Sequence, residues 1–256
     1  MIPGATLLHA MIRGAVFYVL LFGLGAASLG WNLMAAVLFP LLPRGVGQRW
    51  GRAAIARIYR SFWWVARATG LLRIDAGKLA SLHHEPGGLI IAANHPSMLD
   101  ALLIVAFVPR GVCIMKAALM NNVFLGAGAR LARYIRNDTA LGMVRGAVTC
   151  LREGGQLVVF PEGTRTVQAP INRFMPGVTL IAHLAQTPIQ TVLIETDSPY
   201  LSKGWPIWRL PRFPVEFRLR LGERFMPQAD HAQLLEQLQS YVARELRRLS
   251  PAPRTS

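Results

Sequence analysis

Acidic side chains are scarce in this sequence. Thirteen Asp and Glu stand against 28 Lys and Arg, a formal net charge of +15 over 256 residues, and no acid precedes Asp75. Such a balance calls for an anionic partner: phospholipid headgroups, a phosphate-bearing substrate, an acidic carrier protein or nucleic acid. Blocks of Lys and Arg interleaved with aromatics are missing, and no nucleic-acid-binding motif is present, which removes the last of these. Cysteine is nearly missing too. Cys113 and Cys150 form neither a CxxC pair nor a framework, which excludes a disulfide scaffold and a structural zinc site, and both are expected as reduced core residues. Charged residues make up only 16% of the chain and apolar ones 52%. That is too greasy for an ordinary soluble domain and too polar for a multi-span transporter, so a globular domain anchored to a bilayer is expected. Internal repeats and low-complexity tracts are absent.

The longest uncharged stretch runs from Gly14 to Pro43, between Arg13 and Arg44. A straight helix of that length exceeds the ~30 Å hydrocarbon core. Gly23, Gly25 and Gly30 fall in its middle, so two forms fit: one tilted span, or a helical hairpin dipping into one leaflet. A cleaved signal peptide fits less well, because the run is long and a basic tract follows it. Arg44, Arg49, Arg52, Arg57, Arg60, Arg67 and Arg73 all come before the first acid, which by the positive-inside rule places the globular part in the cytoplasm. Within 49–68, Arg49, Arg60 and Arg67 line up at ~100° per residue, opposite Ile55, Ile58, Tyr59, Phe62 and Val65. This basic amphipathic helix suits an anionic membrane surface, or the outer side of a helix packed on the domain. The chain thus divides into an anchor at 1–43, a basic helix at 44–70 and an α/β domain at 71–256.

In that domain, residues 89–93, 112–115, 156–160, 189–195 and 215–221 read as strands. Helical patterns fall at 97–108, 121–133, 140–153, 178–185 and 232–249, the last stopped by a proline-containing tail. Alternation of this kind predicts a mostly parallel central sheet covered by helices. Residues 196–214, with five prolines and glycines beside Trp205 and Trp208, read as a long irregular loop, which is often functional.

Two segments carry chemistry. Asn94-His95-Pro96-Ser97-Met98-Leu99-Asp100 directly follows the strand at 89–93, so His95 and Asp100 sit where open α/β sheets place their sites. On a regular helix they would point ~140° apart. They can meet only if His95 lies in the turn before the helix, its ring folded back over the first turn, with Pro96 suiting the first helical position. Asp100 would then fix the tautomer and leave the other ring nitrogen free as a general base. Alone, such a pair is more often a buried histidine satisfied by a carboxylate. The second segment, Phe160-Pro161-Glu162-Gly163-Thr164-Arg165, ends at the same sheet edge, and Arg165 offers a bidentate fork for phosphate.

Together, over roughly residues 71–195, these segments resemble the glycerolipid acyltransferase family with its NHxSxxD and FPEGTRS motifs. The first motif is complete in Asn94, His95, Ser97 and Asp100; the second matches through Arg165, with Thr166 for serine. Gly128 to Arg136 is similar to the family's intervening block, and Lys116 stands where a lysine is common. Threonine at Thr191 and the run Ala117-Ala118-Leu119 depart from the later blocks, which shape the substrate sites.

The resemblance implies an acyltransferase moving a fatty acyl group from acyl-CoA or acyl-carrier protein to the hydroxyl of a lysophospholipid. The expected acceptor is 1-acylglycerol-3-phosphate. His95 and Asp100 are the implied catalytic pair, and Lys116, Arg136, Glu162, Gly163, Thr164 and Arg165 the implied acceptor site. Asn94 and Ser97 are expected to shape the motif turn, and no metal or tightly held cofactor is implied. A bacterial-type inner membrane, with the domain on its cytoplasmic side, is the expected location. The same chemistry on an amino-acid lipid, glycolipid or pigment lipid is the first alternative. A non-catalytic membrane scaffold is another, which the intact motifs oppose. A serine hydrolase using Ser97 lacks the GxSxG elbow.

Overall fold

The computed structural model describes residues 3–249, with side chains from Leu8 onward. Met1, Ile2 and the proline-containing tail expected to stop the last helix lie outside the described residues. Two long helices lead: α1 (Pro3–Leu41) and α2 (Arg44–Ala68). Pro40 and Pro43 separate them, because each lacks the N–H that the next helical turn requires. The sheet follows, with β1 (Leu72–Asp75), β2 (Leu89–Ala93), β3 (Gly111–Lys116), β4 (Ile135–Asn137), β5 (Gln156–Val159), β6 (Ile189–Thr196) and β7 (Val215–Phe225). Between them lie a 3-10 helix at Gly77–His84, then α3 (Asp100–Phe107), α4 (Ala117–Met120), α5 (Gly126–Leu131), α6 (Ala140–Arg152) and α7 (Gly177–Ala185); α8 (His231–Leu249) comes last.

The strand order is β1-β7-β6-β2-β5-β3-β4, and the only antiparallel pair among the described strands is β6 with β7. The mostly parallel sheet is therefore as the alternating pattern predicts. Its near-continuous apolar strands bury both faces. Ile91, Ala93, Cys113, Val158 and Val192 meet the α1–α3 layer, while Ile90, Ala92, Val112, Leu157 and Leu193 meet α6, α7 and α8. Cys113 is buried and Cys150 half-buried, and neither forms a disulfide.

Three expectations change. The glycines do not fold α1 into a hairpin: it runs through Gly23, Gly25 and Gly30 unbroken. Each glycine weakens a helix by only about 1 kcal/mol, and α1 is held at both ends. Phe17 packs on Tyr200 and Phe213, while Asn32 donates to the Val123 carbonyl and accepts from the Gly128 N–H. Helix 97–108 begins only at Asp100, leaving Pro96 in the turn before it, and helix 121–133 shrinks to α5. In the first case the Ser97 N–H is taken by the Asp100 carboxylate, and in the second the Phe124 N–H by the Asn122 side chain. Both are side-chain bonds that compete with a helical start.

The docked side of α1 is a single stripe: Gly14, Phe17, Leu21, Leu24, Ser28, Asn32, Ala35 and Leu38 are buried or half-buried at helical spacing. The opposite side exposes Val19, Phe22, Leu33, Met34 and Val37. On α2, Ile55, Phe62 and Trp63 are buried, and Arg49, Arg57 and Arg67 face outward with Trp50 and Trp64. Arg60, aligned in sequence with that outer stripe, instead grips the Ala106 carbonyl at the C-terminal end of α3, at 3.2 and 2.9 Å. A cation there complements the helix dipole.

Gly51 marks where α2 meets the end of α5. A Cβ at this position would lie 2.6 Å from the Ala132 nitrogen, whereas one at Gly45 would meet nothing within 4 Å. Gly51→Ala should cost about 1–3 kcal/mol through backbone displacement, while Gly45→Ala should be neutral or gain up to about 1 kcal/mol. Thermal unfolding of the two variants in detergent checks the contrast.

Candidate active site

β2 ends at Ala93, and the chain turns away from the sheet at once. Asn94 fixes the departure by pairing with β6 like a backbone residue: its Nδ2 donates to the Ile194 carbonyl (2.9 Å) and its Oδ1 accepts from the Ile194 N–H (2.8 Å). The turn then brings His95 over the first residue of α3, and His95 Nδ1 lies 2.9 Å from Asp100 Oδ2. A carboxylate can only accept, so Nδ1 carries the proton and Nε2 the lone pair. Among the described residues Nε2 has no partner, and the side chain keeps 18% exposure. The Phe160 ring stacks on the imidazole at 4.0 Å between centroids, so the ring is held both by its edge and by its face.

Asp100 is fully buried. Its Oδ2 also accepts from the Ser97 N–H (2.8 Å), but among the described residues its Oδ1 has no partner. Burial pushes its carboxyl up to about 6, against the opposing pull of its hydrogen bond to His95. Ser97 is equally buried, and its hydroxyl donates to the Tyr200 carbonyl (3.0 Å) and accepts from the Leu99 N–H (3.3 Å). That leaves it as a brace within the turn.

β5 delivers the second motif to the same edge. Glu162 was expected in the acceptor site, yet both its oxygens are engaged within the chain. Oε1 accepts from the His95 N–H (2.9 Å) and the Thr166 hydroxyl (2.8 Å), and Oε2 accepts from the Asn172 N–H (2.8 Å). With the Thr166 N–H donating to the His95 carbonyl (2.7 Å), this carboxylate ties the two motif loops together. Gly163 makes the turn at φ +67, a conformation that favours glycine, and it is exposed with Thr164 half-exposed beside it.

Arg165 is held from outside. Its Nη1 donates to the carbonyls of Leu201 (2.8 Å) and Ser202 (2.9 Å). Among the described residues Nε and Nη2 make no bond, so the edge that forms a two-pronged fork stays open. The loop at 196–214 is thus part of the site. Besides Arg165 it holds Ser97 through Tyr200 and the Met98 N–H through the Leu201 carbonyl (3.1 Å). Sequence signalled this loop only by its length and aromatics. It gave no sign of the Phe160 stack.

Arg136 and Lys116 stand further along the edge. Extending the register aligns Ala93, Phe160, Met115 and Arg136 in one row, with Arg136 two strands from Phe160, about 10 Å. Arg136 is exposed and paired with Asp138 at 2.7 Å. Strand alternation turns Lys116 to the Ile114 side, away from Met115, and it makes no bond among the described residues. Neither side chain touches His95.

Known proteins share this arrangement of elements. A family model described as Acyltransferase matches residues 73–195. A 1-acyl-sn-glycerol-3-phosphate acyltransferase of Pseudomonas aeruginosa is 23% identical, over 94% of this chain and 92% of its own. One from Helicobacter pylori is 28% identical over 68% of this chain and 74% of its own. The crystal structure of the 1-acyl-sn-glycerophosphate acyltransferase of Thermotoga maritima superposes with a TM-score of 0.65 at 19% identity, over 93% of this chain and 97% of that one, a likeness of fold.

The raised Asp100 carboxyl has a signed consequence. In the unfolded chain an aspartate titrates near ~3.9, so the folded state holds this proton more tightly. Its contribution to stability is full below about 4 and is lost as pH rises towards 6. The melting temperature of the wild type relative to Asp100→Asn should therefore fall between pH 4 and 6 and level off above. A flat difference would mean that the carboxyl titrates normally.

Proposed function

We propose that this chain, a member of the glycerolipid acyltransferase family, transfers a fatty acyl group from a thioester to the hydroxyl of 1-acylglycerol-3-phosphate, giving phosphatidate. One observation carries the reading: the unpartnered Nε2 of His95 and the open fork of Arg165 share one sheet edge, a base beside an anion site. The relatives from Pseudomonas aeruginosa and Helicobacter pylori bear the name of that activity.

In this reading His95 Nε2 takes the proton of the acceptor hydroxyl as its oxygen attacks the thioester carbonyl. The imidazolium that forms is stabilised by the Asp100 carboxylate, and the Phe160 stack keeps the ring in place. When the tetrahedral intermediate collapses, the C–S bond breaks and Nε2 returns the proton to the leaving thiolate. Neither cysteine is needed; burial holds the Cys113 thiol up at about 12. Arg165 grips the acceptor phosphate, and Arg136, in the row of Phe160 two strands away, reaches its far side. The donor is acyl-CoA or acyl-carrier protein, both anionic like the acceptor, which suits a net charge of +15.

The same proposal places the enzyme on a membrane. α1 is long and apolar enough to cross one, about 58 Å at 1.5 Å per residue. Yet its docked stripe runs from Gly14 to Leu38, and Arg133 lies over the Phe39 ring. A crossing would drag that flank of the domain into hydrocarbon, at a high cost for its cations. α1 therefore lies along one leaflet, its outer side in lipid, and the arginines and two exposed tryptophans of α2 sit at headgroup level.

His95→Ala should abolish acyl transfer to lysophosphatidate, at least ~10³-fold, with unchanged circular dichroism; a pure sample that stays active rules out the assignment. Arg165→Ala should raise the acceptor KM about 10–100-fold, with the donor KM unmoved. Wild type assayed on a panel of lysolipids should prefer the phosphate monoester. In a flotation assay the full chain should bind anionic vesicles better than zwitterionic ones, less so in high salt.

A further inference from the structure

Arg165 owes its orientation to two carbonyls, those of Leu201 and Ser202, and neither is held by a strand or helix. Leu201 has φ +56, a left-handed conformation that a branched residue keeps only when its surroundings impose it. Those surroundings are apolar. Leu201 and Tyr200 are 2% and 1% exposed, and among the described residues the buried Tyr200 hydroxyl has no hydrogen-bond partner, so ring contacts place the side chain while the Tyr200 carbonyl accepts from the Ser97 hydroxyl. The ring has two aromatic neighbours, Trp205 at 6.3 Å from its own loop and Phe17 at 5.5 Å from α1. Phe17 also packs on Phe213 (5.2 Å) at the far end of the loop.

α1 grips the loop at two more points. The Tyr18 hydroxyl donates to the Trp208 carbonyl, and Gly14 lets the Leu210 side chain lie where a Cβ would stand 2.9 Å away. The loop is thus clamped between the N-terminal half of α1 and the two motif turns. Its carbonyls on the inner side hold Ser97, Met98 and Arg165, and its side chains on the outer side lean on Phe17.

We propose that Phe17 of α1 is a positioning residue of the acceptor site, acting through Tyr200 and the Leu201–Ser202 carbonyls to aim the open fork of Arg165. The inference rests on the reading of Arg165 as the group that holds the acceptor phosphate. It makes α1 a working part of the active site as well as a tether. Loss of the Phe17 ring leaves a cavity beside Tyr200, frees the strained Leu201 peptide to relax, and lets the guanidinium swing from its line on the phosphate.

The test uses full-length protein in detergent micelles with lysophosphatidate and acyl-CoA, so that membrane retention plays no part. Phe17→Ala should raise the acceptor KM severalfold and leave the donor KM unchanged, with Phe17→Leu in between. Phe22→Ala, on the exposed side of the same helix, should change neither. The decisive arm is the double variant: once Arg165→Ala has removed the fork, Phe17→Ala should add nothing further to the acceptor KM. An acceptor KM that ignores Phe17→Ala while responding to Arg165→Ala overturns the inference, and so does a double variant in which the two effects multiply. An acceptor KM that ignores Arg165→Ala instead overturns the phosphate reading beneath it. If Phe17→Ala does not fold, Phe17→Leu and Phe213→Leu take its place in the same comparison.

Discussion

A single carboxylate without access to water organises this molecule. Asp100 is enclosed at the start of α3 with one oxygen shared by the His95 ring and the Ser97 N–H and the other unpaired. Burying a charge is unfavourable unless something compensates, and here the compensation is partial, which is why the carboxyl titrates high. The turn from Asn94 to Leu99 exists to make that compensation possible. It withholds the Ser97 N–H from the helix and folds the imidazole back over Asp100. The same carboxylate faces the ring nitrogen that keeps its proton while the other side of the imidazole stays open.

Such a turn cannot hold itself, and the surrounding structure supplies three ties. Asn94 fastens it to β6, Glu162 fastens it to the loop after β5, and the carbonyls of Tyr200 and Leu201 fasten its Ser97 and Met98. Each tie comes from a segment remote in the chain, and each ends at a backbone group or a buried side chain. Among the described residues, the Nε2 of His95 and the outer edge of the Arg165 guanidinium stay without a partner on the open side of the site. A scaffold that ties down its motif turns and leaves a base and a cation open suits the proposed substrate, which carries a proton and an anion.

The position of the site relative to α1 fits a lipid substrate. In the proposed reading, a helix whose inner stripe packs on the domain and whose outer side is apolar would keep the candidate site near the bilayer surface, where an acyl chain and a phosphate headgroup already lie apart. Basic residues surround that edge. Because the loop at 196–214 lies between α1 and the motifs, the apolar helix and the candidate site share one set of contacts.

The sequence by itself determined a good part of this. Apolar runs with turn residues between them gave the central strands, and the motif at 94–100 gave the only way its histidine and aspartate could meet, in the turn before a helix. The 30-residue span without charge, Gly14 to Pro43, marked most of α1. Tertiary structure decided the rest, in each case because the partner is distant in the chain. Glu162 reads as an acceptor-site residue until the His95, Thr166 and Asn172 donors are seen to use both of its oxygens. Arg60 reads as a solvent cation until α3 ends beneath it. The glycines of α1 leave both a span and a hairpin open until α1 is seen as one unbroken helix packed at Phe17 and Asn32. Periodicity records which side of an element is apolar, but hydrogen-bond partners many residues away leave no local pattern, and they settle which polar groups brace the fold and which stay free to react.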